Sequence, residues 1–250
     1  MDMIIFAGPS LGVTDPRLVQ RIDFRGPAAC GDIARAALEQ PIAIGLVDGV
    51  LETSASVWHK EIIFTLAKGI SVFGASSIGA IRAVELAPFG MVGIGEVFRT
   101  YRDGVSEDDD EVVLQHGPAE VGFVGLSEAM VNIRATIRSA TAAGVVTVIE
   151  AKTLCSVAKE LFYKDRTWDR IVASAEDVGM SRFVLDKLIA WVPANSVDVK
   201  RQDAEELVLT MLKWVPSSTR TQSQSRPVLS HTVYWDLLCR HINIGVLDSI

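Results

Sequence analysis

Gly74-Ala75-Ser76-Ser77-Ile78-Gly79-Ala80 is the stretch of this 250-residue chain whose residue types and spacing point most directly to chemistry. An apolar run at residues 70–73 leads into small residues, two serines and a glycine where a helix is expected to begin. Reactive serines occupy such strand-to-helix turns for two reasons. Small neighbours let the backbone turn sharply and expose the hydroxyl, and the first amides of a helix can hold a developing oxyanion. Ser77, with Ala75 two residues before it and Gly79 two after, fits this spacing better than Ser76. A serine helix cap beside a glycine explains the same residues without chemistry.

A serine of this kind needs a base. The four histidines, His59, His116, His231 and His241, are scattered, and none completes an obvious triad. Lys60, in Trp58-His59-Lys60-Glu61, is better placed. In a parallel β-α-β unit the connecting helix starts at the sheet's carboxyl edge, where the next strand also ends. A helix over residues 54–68 would therefore share a rim with the serine turn, with Lys60 about 9 Å along its axis. A lysine side chain recovers most of that distance. It acts as a base near neutral pH only where its surroundings disfavour the ammonium form by roughly 3–4 kcal/mol. Two further strand ends, Gly8-Pro9-Ser10 and Asp48-Gly49, reach the same rim, where ligands of open α/β sheets bind. Turn chemistry alone also accounts for these residue types.

The elements that must hold these groups are legible as a pattern. Apolar runs at residues 3–7, 42–47 and 70–73 each end in a glycine-marked turn, as buried parallel strands do. Helical stretches are expected at 31–39, 54–68 and 78–85, and a further strand at 92–94. The alternation predicts an α/β fold: a parallel-sheet core with α-helices on both faces. A loop carrying Tyr101-Arg102-Asp103-Gly104 follows, then a helix at 127–143. Beyond residue 151 the pattern is helical, over 152–163, 168–177, 181–189, 203–214 and 234–242, with 217–225 a polar loop. The expected division is a core at 1–145 and a mostly helical C-terminal region at 146–250.

Composition narrows the function. Apolar residues make up 49% of the chain, enough for a real core, and the net charge of -7 argues against wholesale nucleic-acid binding. Three well-separated cysteines form neither a metal spacing nor a disulfide framework. No uncharged apolar stretch has the length of a membrane span, and Met1-Asp2-Met3 is acidic where a signal peptide is basic. These features predict a soluble, cytoplasmic protein without a membrane association. The run Glu107-Asp108-Asp109-Asp110-Glu111 cannot turn every carboxylate toward one ion, so it reads as a solvated or docking surface and not a metal site. No Walker loop or dinucleotide fingerprint follows a strand.

Taken together, Gly8-Pro9-Ser10-Leu11, Val47-Asp48-Gly49, Trp58-His59-Lys60-Glu61, the serine turn, Arg82-Ala83-Val84-Glu85-Leu86, Phe89-Gly90-Met91, Tyr101-Arg102-Asp103-Gly104, Asp109-Asp110-Glu111-Val112 and His116-Gly117-Pro118 follow one another as in TfuA-like proteins. The chain resembles that family over roughly residues 3 to 140. The resemblance implies partnership with a YcaO-type enzyme in peptide backbone thioamidation within ribosomal peptide modification. It also implies hydrolysis of a thiocarboxylated, ThiS-like carrier protein to deliver sulfide, without a cofactor. The family's serine–lysine pair carries over to Ser77 and Lys60. Ser76, Ser10, Gly8, Asp48, Gly49, His59, Arg82 and His116 are the accompanying binding candidates. A different class of function, a non-catalytic adaptor that improves peptide capture by the YcaO-type enzyme, fits the tryptophan-rich helical part and the acidic run. A general serine–lysine esterase or peptidase is the weaker third reading.

Overall fold

The computed structural model describes residues 3–12, 21–52, 54–215 and 232–242. Five parallel strands form one sheet: β1 (Met3–Phe6), β2 (Ile22–Arg25), β3 (Ala43–Leu46), β4 (Ser71–Ala75) and β5 (Val92–Ile94), in the order β2-β1-β3-β4-β5. Strand order reverses between β1 and β3, so the crevice outside their carboxyl ends is the topological switch point of the sheet. Register sets the two faces. Met3 pairs with Ala43 and Ala43 with Ser71, which puts Met3, Ile5, Phe73, Ala75 and Ile94 on one side.

That side packs against α9 (Val199–Lys213) through Ala204, Leu207, Val208 and Met211. Leu207 and Met211 are fully buried, and their burial contributes roughly 3–6 kcal/mol. The opposite side carries α1 (Asp32–Leu38), α2 (His59–Ala67) and α3 (Ile78–Leu86). The expected α/β class, with helices on both faces of a parallel sheet and a helical C-terminal region, is the observed one.

Several local expectations change. Strand β2 was not expected. Asp23 and Arg25 interrupt it with charge, but Ile22 and Phe24 alternate with them and pack into the α9-facing core. The stretch expected as a loop before Asp103 contains α4 (Gly95–Arg102). Its first amides, Glu96 N and Val97 N, donate to the buried Asp203 carboxylate of α9 at 2.7 and 2.8 Å. A side chain at Gly95 would overlap that carboxylate, its Cβ falling 2.1 Å from Asp203 Cγ. Helix α2 begins at His59 and not near Ser54, because Ala55 O accepts the Cys30 amide at 2.8 Å and Val57 O accepts Arg82 Nε at 3.1 Å. Those bonds hold the lead-in outside the helix.

The chain divides into two units, residues 1–105 with 203–250, and residues 106–202. In the second unit α5 (Met130–Ala142), α6 (Val148–Glu160), α7 (Trp168–Asp177) and α8 (Arg182–Asn195) share one core around Ile133, Leu154, Ile171 and Leu188, so α5 belongs with the helices that follow it. Helix α9 returns the chain to the first unit, where α10 (Val233–His241) packs on α2, with Trp235 against Phe64 at 5.3 Å between ring centroids, and Leu238 lies beside Gly31 at the start of α1. The polar loop expected at 217–225 lies outside the described residues. Among the described residues no helix is long and apolar enough to cross a membrane.

Candidate active site at the carboxyl edge of the sheet

The turn between β4 and α3 is sharp and strained. Ser76 follows the last residue of β4 at φ 69, a left-handed value uncommon for any residue but glycine. Ser77 N donates to Ala75 O at 2.7 Å, closing a three-residue turn around Ser76 of the rare left-handed kind. Strain of this type costs about 1–3 kcal/mol. Ser77 is the N-cap of α3, yet its hydroxyl makes no capping bond, so the purely structural explanation of that serine is not realised. Both serines are buried, and the Ser76 hydroxyl finds no hydrogen-bond partner among the described residues.

Two glycines make the turn possible. A Cβ on Gly79 would lie 1.8 Å from Leu46 O, and one on Gly74 would lie 2.1 Å from Gly79 O. Helix α3 thus rests directly on the backbone of β3 and β4, and its positive end is aimed at the rim. Gly79 N donates to Val47 O at 3.3 Å, and Gly8 N and Asp48 N are engaged elsewhere. Of the amides near the turn, the one that a helix start leaves available is that of Ile78.

Asp48 organises the switch-point loops. Its buried carboxylate accepts Gly8 N at 2.8 Å, Ser10 N at 3.0 Å and Ser10 Oγ at 2.6 Å. Gly8, Ser10 and Asp48, predicted separately from sequence, are thus brought together, with their polar atoms turned on one another. Gly49 pairs with Ala28 in a parallel bridge, and a Cβ there would meet Ile78 Cγ2 at 2.8 Å. The loop after β3 is packed against the start of α3, directly behind the serines.

With α2 starting at His59, Lys60 stands in its first turn, closer to the rim than a start at residue 54 would put it. Its Nζ donates to Thr232 Oγ1 at 2.8 Å, and Thr232 caps α10 by accepting Trp235 N. The neighbouring His59 points toward α3, where Nε2 meets Glu85 Oε2 at 2.8 Å. Arg82 Nη1 donates to the same oxygen at 2.6 Å, so Glu85 joins His59 to Arg82. Glu61 is fully buried and accepts Gly31 N at 2.8 Å and Trp58 N at 3.0 Å, tying together the starts of α1 and α2. Burial pushes its pKa up, and the amide bonds oppose that shift. Glu61 falls three residues after the Trp58 cap, but Trp58 is not a capping residue type and Gly31 is 30 positions away, so sequence carries no clear signal of this role. Thr232 has no such signal either.

His116 lies in the second unit, with its ring 5.6 Å from that of Phe123 and Nδ1 2.8 Å from Gly117 O. The acidic run is also in that unit; Glu107, Asp108 and Asp109 are exposed as expected, whereas Asp110 and Glu111 are paired internally. Asp110 pairs with Lys159 and with the buried Arg166, and Glu111 accepts Arg134 Nε and Nη2 at 2.9 and 3.0 Å. Burial opposes ionisation of both carboxyls, but hydrogen bonds from these cations outweigh it and hold the two pKa values low.

Residues 48–167 match the family described as TfuA-like protein, a span that takes in Asp48, the Lys60 segment, the serine turn and His116 and leaves Gly8 and Ser10 outside. No curated protein matches the chain. Over that span, from the end of β3 to the cap of α7, the chain is similar to the TfuA-like family, and the likeness supports an accessory role in thioamidation with a YcaO-type enzyme.

Proposed function

We propose that the chain hydrolyses the thiocarboxylate of a ThiS-like carrier protein through a serine–lysine pair, Lys60 with a serine of the β4–α3 turn, and so delivers sulfide to the YcaO-type enzyme. The observation that carries this reading is the strained turn itself, with Ser76 at φ 69 and the uncapped Ser77 at the start of α3. Local strain of that kind concentrates at functional sites. Lys60, in the first turn of α2, belongs to the same rim. A neutral amine keeps two N–H groups and a lone pair. Its bond to Thr232 Oγ1 therefore does not compete with accepting the serine proton.

In the acylation step the amine takes the hydroxyl proton as the serine oxygen attacks the thiocarboxylate carbon, and Ile78 N supports the oxyanion. The carbon–sulfur bond breaks, and hydrosulfide leaves with the lysine's proton. Water, deprotonated by the same amine, then releases the carrier's carboxylate. Release beside the partner's activated amide raises the local sulfide concentration, which favours acting within a complex.

The test measures sulfide release from a thiocarboxylated carrier. Lys60→Ala and the double variant Ser76→Ala/Ser77→Ala are each expected to lose about 10²–10⁴-fold while folding normally. Adding free sulfide to a coupled thioamidation assay should restore product with either variant. Full sulfide release by both variants would remove the hydrolase mechanism. The adaptor reading predicts instead that the variants support thioamidation as well as the parent does. Of its acidic surface, Asp110 and Glu111 are paired internally, and Glu107, Asp108 and Asp109 are exposed.

A further inference from the structure

We infer that Ser76, and not Ser77, is the nucleophile of the pair, an assignment that rests on the hydrolase reading above and selects the reacting atom within it. Two independent observations meet at Ser76. Its backbone stands at φ 69, where glycine would sit without penalty, yet a side chain is present. Its hydroxyl is fully buried and meets no hydrogen-bond partner among the described residues, although buried hydroxyls are ordinarily paired. Both features are unfavourable for folding, and neither contributes to packing. A hydroxyl left unpaired at the corner of a strand-to-helix turn keeps its lone pairs and its proton uncommitted, although here Oγ is closed to solvent and not exposed as the spacing predicts.

Ser77 carries neither mark in the same form. Its φ of -124 is on the side open to any residue, although its ψ of -130 lies outside the common α and β regions, and its backbone belongs to the turn and the helix, with Ser77 O accepting Ala80 N at 2.9 Å. Exposure does not separate the two serines, at 0% for Ser76 and 5% for Ser77. The spacing argument from sequence favoured Ser77 because Gly79 lies two residues after it. The backbone instead brings Gly74, two residues before Ser76, against Gly79 O. The turn is therefore centred one residue earlier. The amide after the nucleophile, Ser77 N, is held by Ala75 O, so the oxyanion falls to Ile78 N at the start of α3.

In the step assigned to Ser76 the O–H bond breaks with its proton passing to Lys60 Nζ, and an Oγ–C bond forms at the thiocarboxylate carbon. The C–S bond then breaks, and sulfur takes that proton and leaves as hydrosulfide. The resulting ester on Ser76 is hydrolysed by water to the carrier carboxylate, which restores the serine.

The experiment compares Ser76→Ala, Ser76→Gly and Ser77→Ala in the full chain. It measures sulfide release from a thiocarboxylated carrier and maps a fluorophosphonate label by fragmentation of the peptide spanning residues 69–82. Both Ser76 variants are expected to lose at least about 10³-fold, with Ser77→Ala within about fivefold of the parent and the label on Ser76. Ser76→Gly should also melt roughly 2–4 °C higher, because glycine takes the left-handed conformation freely, which separates lost chemistry from misfolding. Loss confined to Ser77→Ala, or a label on Ser77, overturns the assignment and leaves the hydrolase reading standing. If both single variants lose activity, the position of the label decides. Full activity in all three variants and in the double variant overturns the hydrolase reading as well.

Discussion

Gly79→Ala tests the geometry on which the candidate site depends. The added methyl carbon would fall 1.8 Å from Leu46 O and 2.6 Å from Leu46 C, both backbone atoms that cannot rotate away. Carbon–oxygen contacts settle at about 3.3–3.6 Å, so α3 must withdraw from β3 by about 1.5 Å or the strand must bend. Overpacking costs typically 1–3 kcal/mol, and the rigid neighbour puts this variant at about 3 kcal/mol. At this chain length that corresponds to a fall of about 6–12 °C in Tm. The same withdrawal carries Ser76, Ser77 and the Ile78 amide away from the rim. A displacement of about 1 Å in a catalytic constellation costs roughly 10²-fold, so sulfide release should fall at least that far at temperatures where the variant is still folded. Thermal unfolding by circular dichroism and a sulfide-release assay measure the two effects. A Tm within about 1 °C of the parent, with unchanged sulfide release, would mean that α3 does not rest on Leu46, and the turn would lose its structural basis.

Asp203 should make stability fall as pH rises from 4 to 6. Burial raises its pKa to about 6 from an ordinary 3.8, against the pull of the two α4 amides, so the native state binds more protons than the unfolded state in that window. At 1.36 kcal/mol per pH unit the ionised group costs about 3 kcal/mol above pH 6, and a pH slope unchanged in Asp203→Asn would refute this. The pairs of Asp110 and Glu111 have the opposite sign. Their folded pKa values lie below the ordinary 3.8 and 4.5, so their stabilisation is complete above those values and is lost as pH falls through the folded ones. Hydrogen exchange in α6 and α7, corrected for intrinsic rate, should accelerate between pH 5 and pH 3; equal protection at both would count against the pairing. Thr232→Val should slow sulfide release roughly tenfold by removing a hydrogen bond that positions the Lys60 amine, with Thr232→Ser restoring the rate. An unchanged rate in Thr232→Val would leave Thr232 a helix cap alone.

Much of the fold could be read from local pattern. The runs that became β1, β3 and β4 are continuous apolar stretches ended by glycine, small residue or proline, which a buried parallel sheet requires of any chain. The serine turn was legible for the same reason, since only small residues allow a helix to rest on two strands. Strand β2 was missed because its charged alternate residues, Asp23 and Arg25, suit a sheet edge and weaken the apolar signal. The start of α2 was placed too early because the bonds that keep residues 54–57 out of the helix come from Cys30 and Arg82, which are remote in sequence.

Sequence alone determined the layer order, the rim and the cluster of small residues around the two serines, because each follows from steric and hydrophobic rules acting over a few residues. Tertiary structure decided the rest. It set which serine carries the strained backbone, that Asp48 clamps Gly8 and Ser10, that Lys60 meets Thr232 across 172 positions, and that Asp110 and Glu111 at the end of the acidic run meet internal cations. Those outcomes depend on pairings between distant segments. A buried charge or hydroxyl takes whatever partner the completed packing brings within about 3 Å, and local composition does not encode that partner.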